Sequence, residues 1–189
     1  MNNVRSADSQ AIDDDDEDLV RACVAGDREA FDILVLRHQR QVYRLCYRFV
    51  GNHEDAAELG QDAFVRAYRA LQKFERTAKF TTWLHRIAVN VCLNRLALKR
   101  PTHEPLRGPE ATAAAGERAD AALLREERAA RVRAAIARLP RKQRATLILR
   151  AYHELSHEEI AGILDSSVGA VKANVFHALA NLKKLLDEG

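Results

Sequence analysis

The sequence predicts an all-α protein made of two small helical domains joined by a flexible linker. Three observations carry this reading. Ala, Leu, Arg and Glu are plentiful while aromatics supply only 6% of the 189 residues, a composition that favours helices over strands. Apolar residues recur at three- and four-residue steps through most of the chain, with no strand-like alternation and no internal repeat. Three of the four prolines (Pro101, Pro105, Pro109) and the glycines Gly108 and Gly116 fall close together, punctuating the pattern into two halves. The divisions that follow are an acidic disordered tail over 1–18, a first domain over 19–100, a linker over 101–120 and a second domain over 121–189.

Taken in order, Asp18 is placed to cap a first helix that Gly26 stops. Asp27 caps a second, whose apolar positions Phe31, Leu34, Val35, Val42, Leu45, Cys46 and Phe49 keep a helical period until Gly51 ends it. A third begins near His53, with Glu54 and Asp55 at its positive end, and runs to about Leu71. Gly60 lies inside it, at a cost of about 1 kcal/mol relative to Ala. A loop over 74–79 leads to Thr81 or Thr82 as the cap of a fourth helix, Trp83 to about Arg100, that buries Leu84, Ile87, Ala88 and Val91. Beyond the linker, helical periodicity resumes near Ala121 and continues to Leu139, where Pro140 interrupts it.

The net charge of +3 conceals an asymmetry. Residues 1–18 hold seven acids (Asp8, Asp13 through Asp16, Glu17 and Asp18) against Arg5, so the remainder is strongly basic. An acidic arm on a basic body suggests a nucleic-acid binder with a shielding or competing tail; a tail that is merely solvated is the alternative. No apolar run is long enough to span a bilayer and the N-terminus is acidic, which predicts a cytoplasmic protein without membrane insertion. Cys23, Cys46 and Cys92 are odd in number and widely spaced within apolar helical patterns. They read as buried free thiols, with neither a disulfide framework nor a zinc site.

The sharpest local pattern lies near the C-terminus. Ser156 and Glu159 form a capping box ahead of a short helix, Glu158 to Leu164. Asp165, Ser166 and Ser167 make a turn, and Ser166 or Ser167 can cap a last helix. Along that helix Val168, Val171, Val175, Ala178, Leu182 and Leu185 form one stripe, while Gly169, Lys172, Ala173, Phe176, His177 and Ala180 face the other way. Two helices around a tight turn, the second with a small and basic outer face, describe a DNA-reading helix-turn-helix. Small residues let the helix approach a groove, Lys172 can reach phosphate or guanine, and an outward Phe176 suits a thymine methyl. An ordinary helical hairpin with a solvated face is the competing reading.

His153-Glu154-Leu155-Ser156-His157 formally matches H-E-x-x-H, in which two histidines on one helix bind zinc. The new helix starting at Ser156 separates them, so no metal site and no cofactor are expected. In the first half, Arg76, Lys79, Arg86, Arg95, Lys99 and Arg100 occur without an intervening acid. Phe74, Phe80 and Trp83 and the amides Asn90 and Asn94 are interleaved with them. Bases neutralise phosphates, aromatics stack on unpaired bases and amides read base edges. The preceding helix instead shows Glu54, Asp55, Glu58 and Asp62 beside Gln61, a stripe suited to a basic protein partner or to solvent alone.

At this point the chain resembles a known family. The segment Glu54-Asp-Ala-Ala-Glu-Leu-Gly-Gln-Asp-Ala-Phe-Val-Arg-Ala-Tyr-Arg-Ala-Leu71, followed by Phe80-Thr-Thr-Trp-Leu-His-Arg-Ile-Ala-Val-Asn90, is similar to region 2 of extracytoplasmic-function sigma factors of the sigma-70 superfamily. Leu155-Ser-His-Glu-Glu-Ile-Ala-Gly-Ile-Leu164 and Val168-Gly-Ala-Val-Lys172 resemble region 4. The resemblance covers about 19–100 and 121–186 and implies the compact form with regions 2 and 4 only. It implies a non-enzymatic factor that binds core RNA polymerase, through the β′ clamp helices and the β subunit, and directs initiation at promoter DNA with −10 and −35 elements. An anti-sigma factor is the further partner implied.

The family's roles map onto matching positions. Asp55, Glu58, Gln61 and Asp62 would meet the β′ clamp helices. The loop Phe74, Glu75, Arg76, Thr77, Ala78, Lys79 and Phe80 would capture a flipped −10 base, with Arg86, Asn90 and Asn94 on the adjoining helix. Arg150, His157, Glu158, Lys172, Ala173, Phe176 and His177 would face the −35 element. Trp83 matches a signature position and is read as core packing. Where members commonly have Gly-Thr-Val-Lys-Ser-Arg, this chain has Gly169-Ala-Val-Lys-Ala-Asn174, which loses two hydroxyls and an arginine and alters the expected −35 contact. A response-regulator-type transcription factor would need a receiver domain with strands, which residues 1–120 lack. A zinc enzyme has only the broken motif, and a purely protein-binding adaptor does not explain the acid-free basic segments.

Overall fold

The computed structural model describes residues 15–74, 78–98 and 117–187, with side chains described in the last stretch from Leu123 onward. The tail over 1–14 and most of the expected linker lie outside the described residues. Eight α-helices and one 3-10 turn account for the rest: α1 (15–24), α2 (Arg28–Val50), α3 (His53–Ala70), the 3-10 turn Leu71–Lys73, α4 (Phe80–Leu98), α5 (Glu117–Arg138), α6 (Arg141–Tyr152), α7 (His157–Leu164) and α8 (Val168–Asp187).

Local chemistry sets most of these boundaries. Asp27 caps α2, its Oδ1 accepting from the amides of Glu29 at 2.9 Å and Ala30 at 3.3 Å. Gly51, at φ 77°, closes α2 by donating its N–H to the Tyr47 carbonyl, a left-handed cap that costs glycine nothing. Asn52 caps α3 through the Asp55 amide at 2.7 Å. The Ser156–Glu159 capping box of α7 is formed in both directions, at 2.8 and 3.1 Å. Of the two serines after it, Ser167 is the one that caps α8, accepting from the Ala170 amide at 3.2 Å.

Three boundaries depart from expectation. Asp18 lies inside α1 instead of capping it, because Asp15 and Asp16 are already fixed in its first turn by Arg37 and His38. Phe80 opens α4, so Thr81 and Thr82 sit within the helix. The reason is that Phe80 is anchored in the core, 2% exposed, and the Lys79 carbonyl accepts the Trp83 amide at 3.1 Å. Helix α5 starts at Glu117, ahead of Ala121, since an acid at the N-terminal end and an alanine-rich sequence both favour extending it.

Helix α2 packs on α3 and α4 to form the first bundle; α8 packs on α5, α6 and α7 to form the second. Leu34, Val42, Leu45, Phe49, Ala63, Leu84 and Cys92 are buried in the first, and Ile148, Leu149, Ile160, Ile163 and Val171 in the second. Their apolar cores are continuous, because α4 packs on α7 and α2 on α6. On the α7 side the helices meet at Gly162, where an added Cβ would stand 3.9 Å from the Thr82 methyl, an ordinary contact. Arg144 of α6 crosses the junction and donates to the Phe49 carbonyl in the last turn of α2. The expectation of two helical units therefore holds, with the addition that they are docked against each other. Cys46 and Cys92 are buried and Cys23 is half-buried, all three free. None of the described helices is long and apolar enough to cross a membrane.

Candidate nucleic-acid interface

Arg86, Asn90 and Asn94 follow one another at four-residue steps on α4, and all three are exposed. Helical spacing puts them on one face, a line able to offer a cation and two amides to phosphate and base edges. Arg86 is engaged in the docked molecule by Asp165, in the turn between α7 and α8, at 3.3 Å. Arg95, counted among the bases of this half, does not join them. Its guanidinium is turned to α3, 2.5 Å from Glu58 and 3.4 Å from Asp55.

Next to this face lies an aromatic corner. Phe74 and Trp83 approach with ring centroids 4.8 Å apart, Phe80 and Trp83 at 5.8 Å, and Phe74 and Phe80 at 6.3 Å. Phe74 and Trp83 are half-buried and packed on the core, so Trp83 sits where a packing residue belongs. Phe80 is buried, which corrects its expected place on an exposed capture surface: its ring packs against Phe74 and Trp83 in the core. Ala78 and Lys79 are exposed, while Glu75, Arg76 and Thr77 lie outside the described residues.

The α3 stripe is partly neutralised from within. Asp62 pairs with Arg66 at 2.9 Å, one turn along. Glu58 and Asp55 share Arg95, and Asp55 also receives the Asn52 side-chain amide at 2.5 Å. Gln61 and Glu58 remain exposed, with Asp55 and Asp62 half-buried. Such pairs are weak at a wet surface, so a partner bringing its own cations could exchange with them.

In the second bundle, α8 presents Lys172, Ala173, Phe176 and His177 to solvent, with Phe176 70% exposed. Val171 and Ala178 are buried on the opposite side and Val168, Leu182 and Leu185 are half-buried. Glu158 is exposed at the start of α7, and His157 beside it is half-buried. The backbone amide hydrogen bond at the helix start holds the Glu158 carboxyl below its usual range. Ser156, His157 and Lys172 act in the same direction. Arg150 is exposed at the end of α6, its Nη1 donating to the Leu155 carbonyl at 2.8 Å. The arrangement is a helix-turn-helix whose second helix leaves its Lys172–His177 face open to solvent.

The H-E-x-x-H match fails on geometry. His153 follows the end of α6, Glu154 takes a left-handed φ of 54° and His157 opens α7. His153 instead meets His85 of α4 edge-on, with ring centroids 5.7 Å apart. Burial, foremost, lowers both imidazoles to about 4.

One group of residues escaped sequence reasoning. Arg37, Arg40, Arg44 and Arg48 of α2 line a single cleft of about 650 Å³ between α2 and the 152–154 turn. Their three- and four-residue spacing is visible in the sequence, but the cleft exists only because the 152–154 turn packs opposite α2.

Comparison with known proteins matches the same two blocks. The family Sigma-70 region 2 matches residues 34–102 and the family Sigma-70, region 4 matches residues 129–182. The RNA polymerase sigma-H factor of Pseudomonas aeruginosa is 37% identical over 180 residues, spanning 90% of this chain and 93% of that protein. The ECF RNA polymerase sigma factor SigW of Bacillus subtilis is 34% identical over 170 residues, spanning 85% and 91%. Among solved structures, CnrH in complex with the cytosolic domain of CnrY superposes with a TM-score of 0.69 at 28% identity, covering 92% of this chain and 98% of that one. Two region matches in order, and relatives alike over nearly their whole length, lead to one conclusion: the chain belongs to the extracytoplasmic-function branch of the sigma-70 family, an RNA polymerase sigma factor that directs promoter-specific transcription initiation.

Proposed function

We propose a division of labour along the chain in which 19–100 acts as region 2, 101–120 as the linker and 121–189 as region 4. The exposed Arg86–Asn90–Asn94 face of α4, next to the loop over 74–79, is the observation that carries the −10 half of this reading. Phe74 and the loop to Lys79 hold a flipped non-template base, with Phe80 and Trp83 as the floor, while Asn90 and Asn94 read neighbouring bases. Lys172, Ala173, Phe176 and His177 of α8, with Arg150, His157 and Glu158, address the −35 element. Asp55, Glu58, Gln61 and Asp62 dock on the β′ clamp helices of core polymerase, exchanging Arg66 and Arg95 for the partner's cations. The factor acts in the cytoplasm, where polymerase is, and contributes no catalysis of its own.

Geometry requires that the two bundles separate. Elements centred 25 base pairs apart lie about 85 Å apart along B-form DNA, whereas helices packed in contact have axes about 8–10 Å apart. The stretch 99–116 spans at most about 60 Å when extended, which together with the bundles themselves suffices. A protein partner that holds the docked form would keep the factor inactive. The similar CnrH, solved with the cytosolic domain of CnrY bound, supports a protein partner of that kind, the role an anti-sigma factor would fill.

The test is reconstitution with core polymerase, followed by mapping of transcription start sites. New promoters should be used, Asn90→Ala should change −10 preference without loss of polymerase binding, and Lys172→Ala should weaken the −35 contribution. Contacts of this kind are worth about 1–3 kcal/mol each. Unchanged −10 selectivity in the Asn90 variant would overturn the assignment of this face.

A further inference from the structure

We propose that the arginine cleft on α2 is the docking site of the chain's own acidic N-terminus, residues 8–14. The described chain starts at the mouth of that cleft. Asp15 and Asp16 both bind Arg37, at 2.6 and 2.7 Å, and the second carboxylate oxygen of Asp16 lies 2.7 Å from His38 Nε2. Asp16 is fully buried, so the point from which the tail departs is fixed at the arginine that begins the row.

From Arg37 the row continues through Arg40, Arg44 and Arg48 along one face of α2, a span of about 16 Å. Residues 1–14 reach up to about 46 Å when extended. Among the described residues neither Arg40 nor Arg44 makes an ion pair, and Arg48 is covered only by the Tyr152 ring, 4.1 Å from its centroid. The cleft contains one acid, Glu154, against these four arginines. Its volume of about 650 Å³ is that of a site for a short peptide. Asp13 and Asp14 directly precede the anchored pair in sequence and Asp8 lies further upstream, so the acids available to the cleft are close to it along the chain. They meet it at the high effective concentration of a tethered ligand.

The far wall of the cleft is the 152–154 turn of the second bundle. A tail seated there touches both halves of the molecule and favours the docked arrangement over the open one. The inference does not depend on which residues read promoter bases.

The experiment is residue-resolved arginine modification of the full-length protein with phenylglyoxal, read by peptide mass spectrometry. The native chain is compared with a variant carrying Asp8→Asn, Asp13→Asn and Asp14→Asn, which leaves Asp15 and Asp16 intact. At low salt, Arg40, Arg44 and Arg48 should react about threefold or more faster in the variant, with Arg69 and Arg138 unchanged as internal references. The difference should vanish near 1 M salt, where the screening length falls to about 3 Å. Equal rates in the two proteins would overturn the proposal. So would a rise shared by Arg69 and Arg138, which would signal a general field effect. Protection that grows with protein concentration would also overturn it, because the occupant would then be a second copy.

Discussion

Arg144 carries a charge that no carboxylate neutralises among the described residues. It is 9% exposed, its Nη1 donates to the Ala137 carbonyl at 3.3 Å, and its Nη2 reaches across the junction to the Phe49 carbonyl. Burial brings its pKa down to about 10, so it remains a cation at neutral pH. The end of α2 suits it, since carbonyls of a last helical turn lack intrahelical partners and carry partial negative charge. A charge-assisted bond of this kind contributes about 1.5–3 kcal/mol. Arg144→Ala should therefore loosen the docked form, seen as a larger radius of gyration in small-angle scattering with helical content unchanged. A radius identical to that of the parent would show that the latch lies elsewhere. Nothing in the sequence distinguishes Arg144 from its neighbours Arg141 and Lys142, because what sets it apart is a bundle that packs on it from another part of the chain. Phe176 was legible for the opposite reason: the stripe of its own helix already turns it outward.

At the scale of the element, the caps and the glycines made the helices legible. Asp27, Gly51 and the Ser156–Glu159 box each act within four residues of the boundary they set, and each is found where the sequence put it. The start of α4 was not legible, because Phe80 is held by ring contacts with Phe74 and Trp83, a tertiary effect that overrides a threonine's preference for the cap. Gly60 gives a direct test of local propensity. It sits within α3 without a positive φ, and a Cβ added there would meet only the Val42 methyl at 3.9 Å, an ordinary contact. Gly60→Ala should stabilise the protein by about 0.5–1 kcal/mol, a rise in Tm of about 2–4 °C at most. A fall in Tm would mean that α2 and α3 must approach more closely than this packing indicates.

On the scale of the whole molecule, the docking of the two bundles was the part of the architecture least visible beforehand. The linker composition suggested independence, and the residues that join the halves are apolar or basic types that would serve equally well in two separate cores. The junction is also sensitive to acid. His85 and His153 face one another across it, His85 with His38 nearby and His153 with Arg44 and Arg48, and burial foremost lowers both to about 4. A histidine whose pKa is depressed in the folded state takes up protons on opening. Its stabilisation is therefore complete above its ordinary value of 6.5 and is lost as pH falls from there toward 4. For His85 alone the loss between pH 7.5 and pH 5 is roughly 2 kcal/mol. The radius of gyration, about 16 Å for a compact chain of this length, should increase over that interval, and His153→Gln should flatten the dependence. No change in radius would mean that the junction does not carry the acid sensitivity. At neutral pH, by contrast, one apolar core runs from Val20 to Ala178, and its cohesion does not depend on the connecting peptide. Calorimetry should then record a single melting event for both halves. A protease cut between 99 and 116 should leave two fragments that still migrate as one particle.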